Sequence, residues 1–264
     1  MASSTGTSHL AAARPCQDSH GCAVLHDSGK RPVVVLVASD GAGSAAVADV
    51  GASLACRSFV RLVEDYLSGG GQVKNIGRKL VERWIAGIVF GLTHHAEARG
   101  HALQDYACTL LAAIVTEGAA VFVQIGDGAI VVSGGMAGAW NYVFWPQHGE
   151  FANSTNFLTS ESPCQALEFA SNDGAFEEIA LFSDGLENLV LRRAEKAVYA
   201  PFFDTMFKSV RRSQASGIDE TLSRELERYL STPPITLRTD DDKTLILASR
   251  RRDPSPSPWS EAPA

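Results

Sequence analysis

No stretch of this 264-residue chain approaches the roughly 20 consecutive apolar residues that cross a bilayer. The most apolar helical segment, residues 84–92, is short and flanked by charge. The N-terminus lacks a basic region followed by an apolar core, so no secretory signal is expected. Lys/Arg-rich runs are missing too. With 23 basic against 30 acidic residues the formal net charge is −7, which argues against non-specific nucleic-acid binding. Cysteine is sparse: five residues, an odd number without framework spacing, point to reduced thiols and a cytoplasmic protein. Three catalytic signatures are absent as well: a Walker-type phosphate loop, a Cys-x₅-Arg loop and a Gly-x-Ser-x-Gly elbow. What remains is 45% hydrophobic and 20% charged, long enough for one good-sized domain with a substantial core.

The organising stretch is Val33-Val34-Val35-Leu36-Val37-Ala38-Ser39-Asp40-Gly41-Ala42-Gly43-Ser44. Its near-continuous β-branched run reads as a strand buried on both faces. It ends on a carboxylate, which is costly to desolvate unless it meets a cation or strong donors. Glycines beside it let a ligand approach the backbone. Taken alone, Asp-Gly at a strand end also reads as a simple turn. A first strand over 21–26 and the turn Asp27-Ser28-Gly29-Lys30 predict an antiparallel hairpin with 33–37. Residues 45–67 and 73–99 carry apolar residues at helical spacing and predict two long helices. Within the second, His94 and His95 point to different faces and read as surface or packing residues.

Residues 107–116, 119–125, 129–133 and 140–145 read as strands joined by short turns, which predicts an antiparallel meander. Residues 146–174 show little periodicity and read as a long flap or loop. Residues 177–182 form another buried strand, again ending on acid and glycine at Ser183-Asp184-Gly185. Helices are expected near 186–190, 201–211 and 218–230, and a last strand over 244–248 follows Asp240-Asp241-Asp242-Lys243. Residues 1–7 read as frayed, and 250–264, rich in proline and serine, as a disordered tail. One domain over 1–249 results.

Acidic residues therefore bound three buried strands: Asp40, Asp184, and Asp241 or Asp242. Gly126-Asp127-Gly128 adds a fourth acidic turn. Hard oxygen donors without paired His or Cys suit Mg²⁺ or Mn²⁺ rather than zinc. Two such ions can lower the pKa of a shared water and orient it for attack on phosphorus. Composition and spacing alone lead to a divalent-metal hydrolase and no further.

Five motifs in order carry the reading beyond that: Ser39-Asp40-Gly41-Ala42-Gly43-Ser44, Thr109-Leu110-Leu111-Ala112, Gly126-Asp127-Gly128, Ser183-Asp184-Gly185-Leu186 and Asp241-Asp242-Lys243-Thr244-Leu245. Together they resemble the metal-dependent, PPM-type (type 2C) serine/threonine protein phosphatases. Ser8-His9, Pro15-Cys16-Gln17-Asp18 and Gly149-Glu150-Phe151-Ala152-Asn153-Ser154-Thr155 are similar to a compact bacterial branch. The resemblance runs from Ser8 to Ala248. It implies an α+β fold, a four-layer α-β-β-α sandwich of two antiparallel sheets flanked by helices.

The resemblance also implies a site with two, or with a third, Mn²⁺ or Mg²⁺ ions. Asp40 would bridge two metals, with the Gly41 carbonyl completing one sphere. Asp184 and Asp241 would hold the metal on the other side, and Asp18 would act through coordinated water beside Gln17. Asp127, with Asp184, would serve a third ion. A water activated between the metals would hydrolyse phosphoserine and phosphothreonine without a phosphoenzyme. Many relatives carry a His where this chain has Ala42, so leaving-group protonation falls to a metal-bound water or to His9. Phosphate binding falls to Arg14, or to His9 or Ser8. Asn188 stands where relatives are often acidic, and Glu187 beside it reads as a helix-start or solvent-facing residue. His148 falls in the flap region, and Cys16 reads as a packing residue. The implied partner is a phosphoprotein substrate of a Ser/Thr kinase, with no nucleic acid and no membrane involved. Two other functions fit the pattern: a catalytically weak phosphatase-like module that binds a phosphoprotein, and a phosphomonoesterase of small molecules.

Overall fold

A strand that is apolar at every position has to be covered on both sides, and Pro32–Ser39 is. Val33, Val35 and Val37 pack against helices, while Leu36 and Ala38 face a second sheet. The computed structural model describes residues 1–134, 139–147 and 155–251. In chain order its elements are β1 (Ala2–Ser4), α1 (Thr7–Ala11), β2 (Ser19–His26), β3 (Pro32–Ser39), α2 (Ala48–Ser68), α3 (Arg78–Glu97), β4 (Leu110–Val115), β5 (Ala120–Ile125), β6 (Ala129–Ser133) and β7 (Trp140–Tyr142). There follow α4 (Pro163–Ala166), β8 (Glu168–Asn172), β9 (Glu178–Phe182), α5 (Glu187–Val190), β10 (Leu191–Arg192), β11 (Ala197–Val198), α6 (Ala200–Arg212), α7 (Glu220–Leu230), α8 (Pro233–Thr236) and β12 (Lys243–Ser249).

One sheet has the order β2-β3-β4-β5-β8 and the other β1-β12-β9-β6-β7, all neighbours antiparallel. Between them lies a thin apolar layer that includes Leu36, Leu111, Phe122, Ile130, Leu181 and Ile246. The outer face of the first sheet packs on α2 and α3 through Phe59, Trp84, Ile85 and Ile88. That of the second packs on α6 and α7 through Phe203, Phe207, Leu226 and Leu230. The expected four-layer sandwich is the observed fold.

Four expectations change. Residues 1–7 are not frayed: Ala2–Ser4 pairs with β12, Ser3 opposite Thr244, and so covers an otherwise open edge. The meander is broken, because β6 leaves the first sheet and joins the second. Gly126-Asp127-Gly128 is therefore a crossing between sheets, with Gly126 at φ +116°, a backbone region that favours glycine. The 146–174 region contains α4 and the edge strand β8, paired with β5. The first long helix starts at Ala48 rather than at residue 45. His148 and the motif residues 149–154 lie outside the described residues, as does the expected tail from 252 onward.

Gly51 lets α2 touch the loop ahead of β4, since a Cβ there would lie 2.3 Å from the Tyr106 carbonyl oxygen. On propensity alone, Gly→Ala inside a helix gains about 1 kcal/mol. In urea unfolding, Gly51→Ala is expected to lose stability, by about 1 kcal/mol or more. Gly87→Ala on α3, where nothing lies within 4 Å, is expected to hold or gain. Equal responses at the two sites would contradict the close approach.

Candidate metal centre

The β2–β3 register places Ser19 opposite Ser39, so Asp18 and Asp40 leave the same sheet end side by side. Thr109 clamps the second of these. Its hydroxyl accepts from the Asp40 amide at 2.9 Å, its own amide donates to the Asp40 carbonyl at 2.8 Å, and Ser39 Oγ donates to its carbonyl at 2.6 Å. Gly41 lies so close to Ala48 and the Gln17 carbonyl that a Cβ would meet both at 2.8 Å. From the second sheet, β9 ends at Ser183, whose hydroxyl donates to Asp18 Oδ2 at 2.7 Å and accepts from the Thr244 amide at 2.9 Å. That one hydroxyl ties the two sheets together beside the acids. Asp184 follows in a single 3₁₀ turn, and Asp127 arrives on the inter-sheet crossing with Thr155 Oγ1 donating to its carboxylate.

Asp40, Asp127 and Asp184 each offer a carboxylate oxygen, all within 4.8 Å of one another. Asp18 Oδ1 and Asp184 Oδ1 are buried and have no hydrogen-bond partner. Buried carboxylate oxygens without donors are costly, and a divalent cation is the ligand that satisfies several together. Burial first, then the charges of Asp18 and Asp184, holds Asp40 well above the usual carboxylate range. Burial raises Asp184 to about 7, with the charges of Asp127, Asp241 and Asp18 adding to it, and raises Asp18 to about 6. The residues present therefore fit hard divalent ions.

Other predicted residues fall around this centre. Asp241 is exposed and outside the three-carboxylate cluster, with its Oδ1 accepting from the Asp242 amide at 2.8 Å. Arg14, also exposed, donates from Nη1 to the Gly43 carbonyl at 3.1 Å, at the rim of the Asp40 loop. His9 sits on α1, buried, with Nδ1 2.9 Å from Asp242 Oδ2. Glu187 does not face solvent: it is buried in a two-pronged pair with Arg193 at 2.8 and 2.9 Å. Asn188 is exposed. The Cys16 thiol is pushed up to about 12 by burial and nearby acids, as befits a packing residue.

The sequence reading left Asp242 as an alternative to Asp241 and did not foresee its buried role. Asp242 is buried and accepts from the Gly6 amide at 2.6 Å, the Gln17 amide at 2.5 Å and His9. The signal was present in the run Asp240-Asp241-Asp242, but three equal letters do not say which one is inside.

Comparisons with known proteins show the family and the fold. The sequence profile described as "Protein phosphatase 2C" matches residues 5–231. Serine/threonine-protein phosphatase 3 of Escherichia coli (strain K12) is 33% identical over 247 residues, 94% of this chain and 96% of that protein. The chain belongs to the protein phosphatase 2C family and is a phosphoric monoester hydrolase of that family. Among solved structures, a bacterial serine phosphatase superposes with a TM-score of 0.62 at 17% identity, over 96% of this chain and 97% of that one. The catalytic domain of the serine/threonine phosphatase PstP, solved in complex with two manganese ions, gives 0.57 at 17% identity, over 89% of this chain and 91% of that one. Both likenesses establish the fold.

A carboxyl whose folded pKa is raised binds its proton more tightly in the native state than in the unfolded chain. Its contribution to stability is greatest at low pH and falls as pH rises from about 4 through about 7. For Asp18, Asp40 and Asp184 this predicts a metal-free protein that melts lower at about pH 8 than at about pH 5. His20, which burial depresses to about 4, acts in the opposite sense below neutrality, so the comparison needs a reference variant. In chelator, thermal melts of Asp40→Asn are expected to show a shallower decline than wild type. An identical decline would mean that the acids do not repel one another.

Proposed function

We propose that residues 1–249 form one catalytic domain that removes phosphate from phosphoserine and phosphothreonine in proteins, using Mn²⁺ or Mg²⁺. The observation that carries the reading is the three-carboxylate cluster at the meeting ends of two sheets, with donor-free oxygens on Asp184 and on neighbouring Asp18. Asp40 and the Gly41 carbonyl would hold the ions between them, Asp184 and Asp241 on one side, Asp18 through water, and Asp127 with Asp184 a third. Bound there, the ions supply charge neutralisation for the phosphate and a water of lowered pKa. A pure binding module gains nothing from four buried or crowded acids, and this disfavours an inactive phosphatase-like reading.

The chain's own residues do the rest. Arg14, exposed at the rim and anchored on the Gly43 carbonyl, is placed to bind the substrate phosphate. His9 is the candidate proton donor to the leaving oxygen. With Nδ1 engaged by the Asp242 carboxylate, Nε2 is the nitrogen left to carry and give a proton. Ala42 is buried and has no proton to offer. The physiological partner is a phosphoprotein made by a Ser/Thr kinase, and the location is the cytoplasm. Among the described residues no helix is long and apolar enough to cross a membrane.

With p-nitrophenyl phosphate, hydrolysis is expected only with added Mn²⁺ or Mg²⁺, and Asp40→Asn or Asp184→Asn should cut kcat/KM by more than about a hundredfold. Phosphopeptides should be preferred over sugar and nucleotide phosphates; the reverse preference would reassign the enzyme to small molecules. His9→Ala should lower kcat by about a hundredfold and remove the limb of the pH–rate profile on which activity falls as the donor loses its proton. An unchanged limb would take His9 out of the proton transfer.

A further inference from the structure

Next to the acid cluster lies a lysine that neither metal binding nor substrate binding uses. Lys243 is the first residue of β12 and is 0% exposed. Its stem passes beneath the Ser183-Asp184-Gly185 turn: a Cβ on Gly185 would meet Lys243 Cγ at 3.3 Å. Its Nζ donates to the main-chain carbonyl of Asp241 at 2.8 Å. The ammonium is within electrostatic reach of Asp18, Asp241 and Asp242. A buried ammonium is expensive unless it offsets nearby charge. Lysine is almost never fully buried without a partner, so a fully buried one beside a crowd of carboxylates needs a reason.

We infer that Lys243 is an internal counter-cation of the metal centre, a positioning residue that holds the Asp241 main chain and offsets the neighbouring acid charge. This rests on the phosphatase reading above and deepens it. A fixed positive charge beside the cluster makes the metal-free arrangement less costly, and the same charge repels an incoming divalent ion. The site is thereby preassembled but holds its metal less tightly than its acids alone would.

The two roles of Lys243 are separable. Gln at this position keeps a donor for the Asp241 carbonyl and loses the charge, whereas Arg keeps the charge. Mn²⁺ titrations of the full-length chain by calorimetry are expected to give Lys243→Gln a Kd lower by about tenfold, with Lys243→Arg near wild type. Metal-free Lys243→Gln should also melt below metal-free wild type, and the gap should close on adding Mn²⁺. A Lys243→Gln Kd equal to or weaker than wild type, or equal tightening in Gln and Arg, would overturn the inference. If Lys243→Gln does not fold, Lys243→Met carries the same expectation, because it too removes the charge. Wild type that binds no Mn²⁺, or binds it undiminished in Asp40→Asn, would instead sink the phosphatase reading itself.

Discussion

Repulsion among carboxylates governs this molecule. Two unit charges 4 Å apart interact by about 4 kcal/mol at an effective dielectric near 20, and Asp40, Asp127 and Asp184 bring oxygens within 4.8 Å. Nothing about strands favours that arrangement, so the scaffold has to impose it. Each acid sits at the end of a buried strand or on the turn that crosses between the sheets, where the backbone has little freedom to relax. Thr109 fixes the Asp40 peptide on both sides, and Ser183 bonds simultaneously to Asp18 and to β12. Without a cation the acids respond by holding protons: burial first, and the neighbouring charges after it, raises their pKa values.

Both sheets contribute: the first brings Asp18 and Asp40 from adjacent strands that meet in register, and the second brings Asp184 from the end of β9. Asp127 comes from the only turn that leads from β5 in one sheet to β6 in the other. A cation held by Asp40, Asp127 and Asp184 would be held where the two sheets meet. That seam is itself packed by large apolar side chains, Leu36, Leu111, Phe122, Ile130, Leu181 and Ile246 among them, interleaved with Ala38, Ala113 and Ala120. Ligand binding there would add to a cohesion that the apolar layer already supplies.

Much of this was legible in the residues, for physical reasons. A run apolar at successive positions is covered on both faces, so Val33 to Val37 announced a buried strand, while the four-layer sandwich came with the family resemblance. Helical spacing in 45–67 and 73–99 survived because those helices present one apolar face to one sheet. Local patterns failed where pairing is decided by distant chain. Ala2–Ser4 has no strand pattern of its own and is a strand only because β12 offers an open edge. Glu168–Asn172 is a half-buried edge strand of mixed polarity. The switch of β6 between sheets cannot be read from a short turn, since Gly126-Asp127-Gly128 fits a hairpin equally well by composition. Of the carboxylate cluster, Asp40 and Asp184 were legible as strand-end carboxylates and Asp127 as an acidic turn residue. The buried role of Asp242 was not, because it depends on amides of Gly6 and Gln17, more than two hundred residues away.

That last dependence explains why the N-terminal segment is ordered at all. Asp242 is a buried carboxylate that would be intolerable without donors. Three of its donors come from chain before Asp18: the Gly6 amide, the Gln17 amide and the His9 ring. A cut ahead of β2 would remove all three and leave the buried Asp242 carboxylate without these donors, with the Lys243 ammonium as its neighbouring counter-charge. The segment 2–17 is thus part of the catalytic framework, pinned at one end by pairing with β12 and at the other by the Asp242 hub. The His9 imidazole on α1 is oriented by the same carboxylate that orders the segment. In the reading proposed above, the proton donor is then His9 on this segment, since Ala42 on the Asp40 loop has no proton to offer.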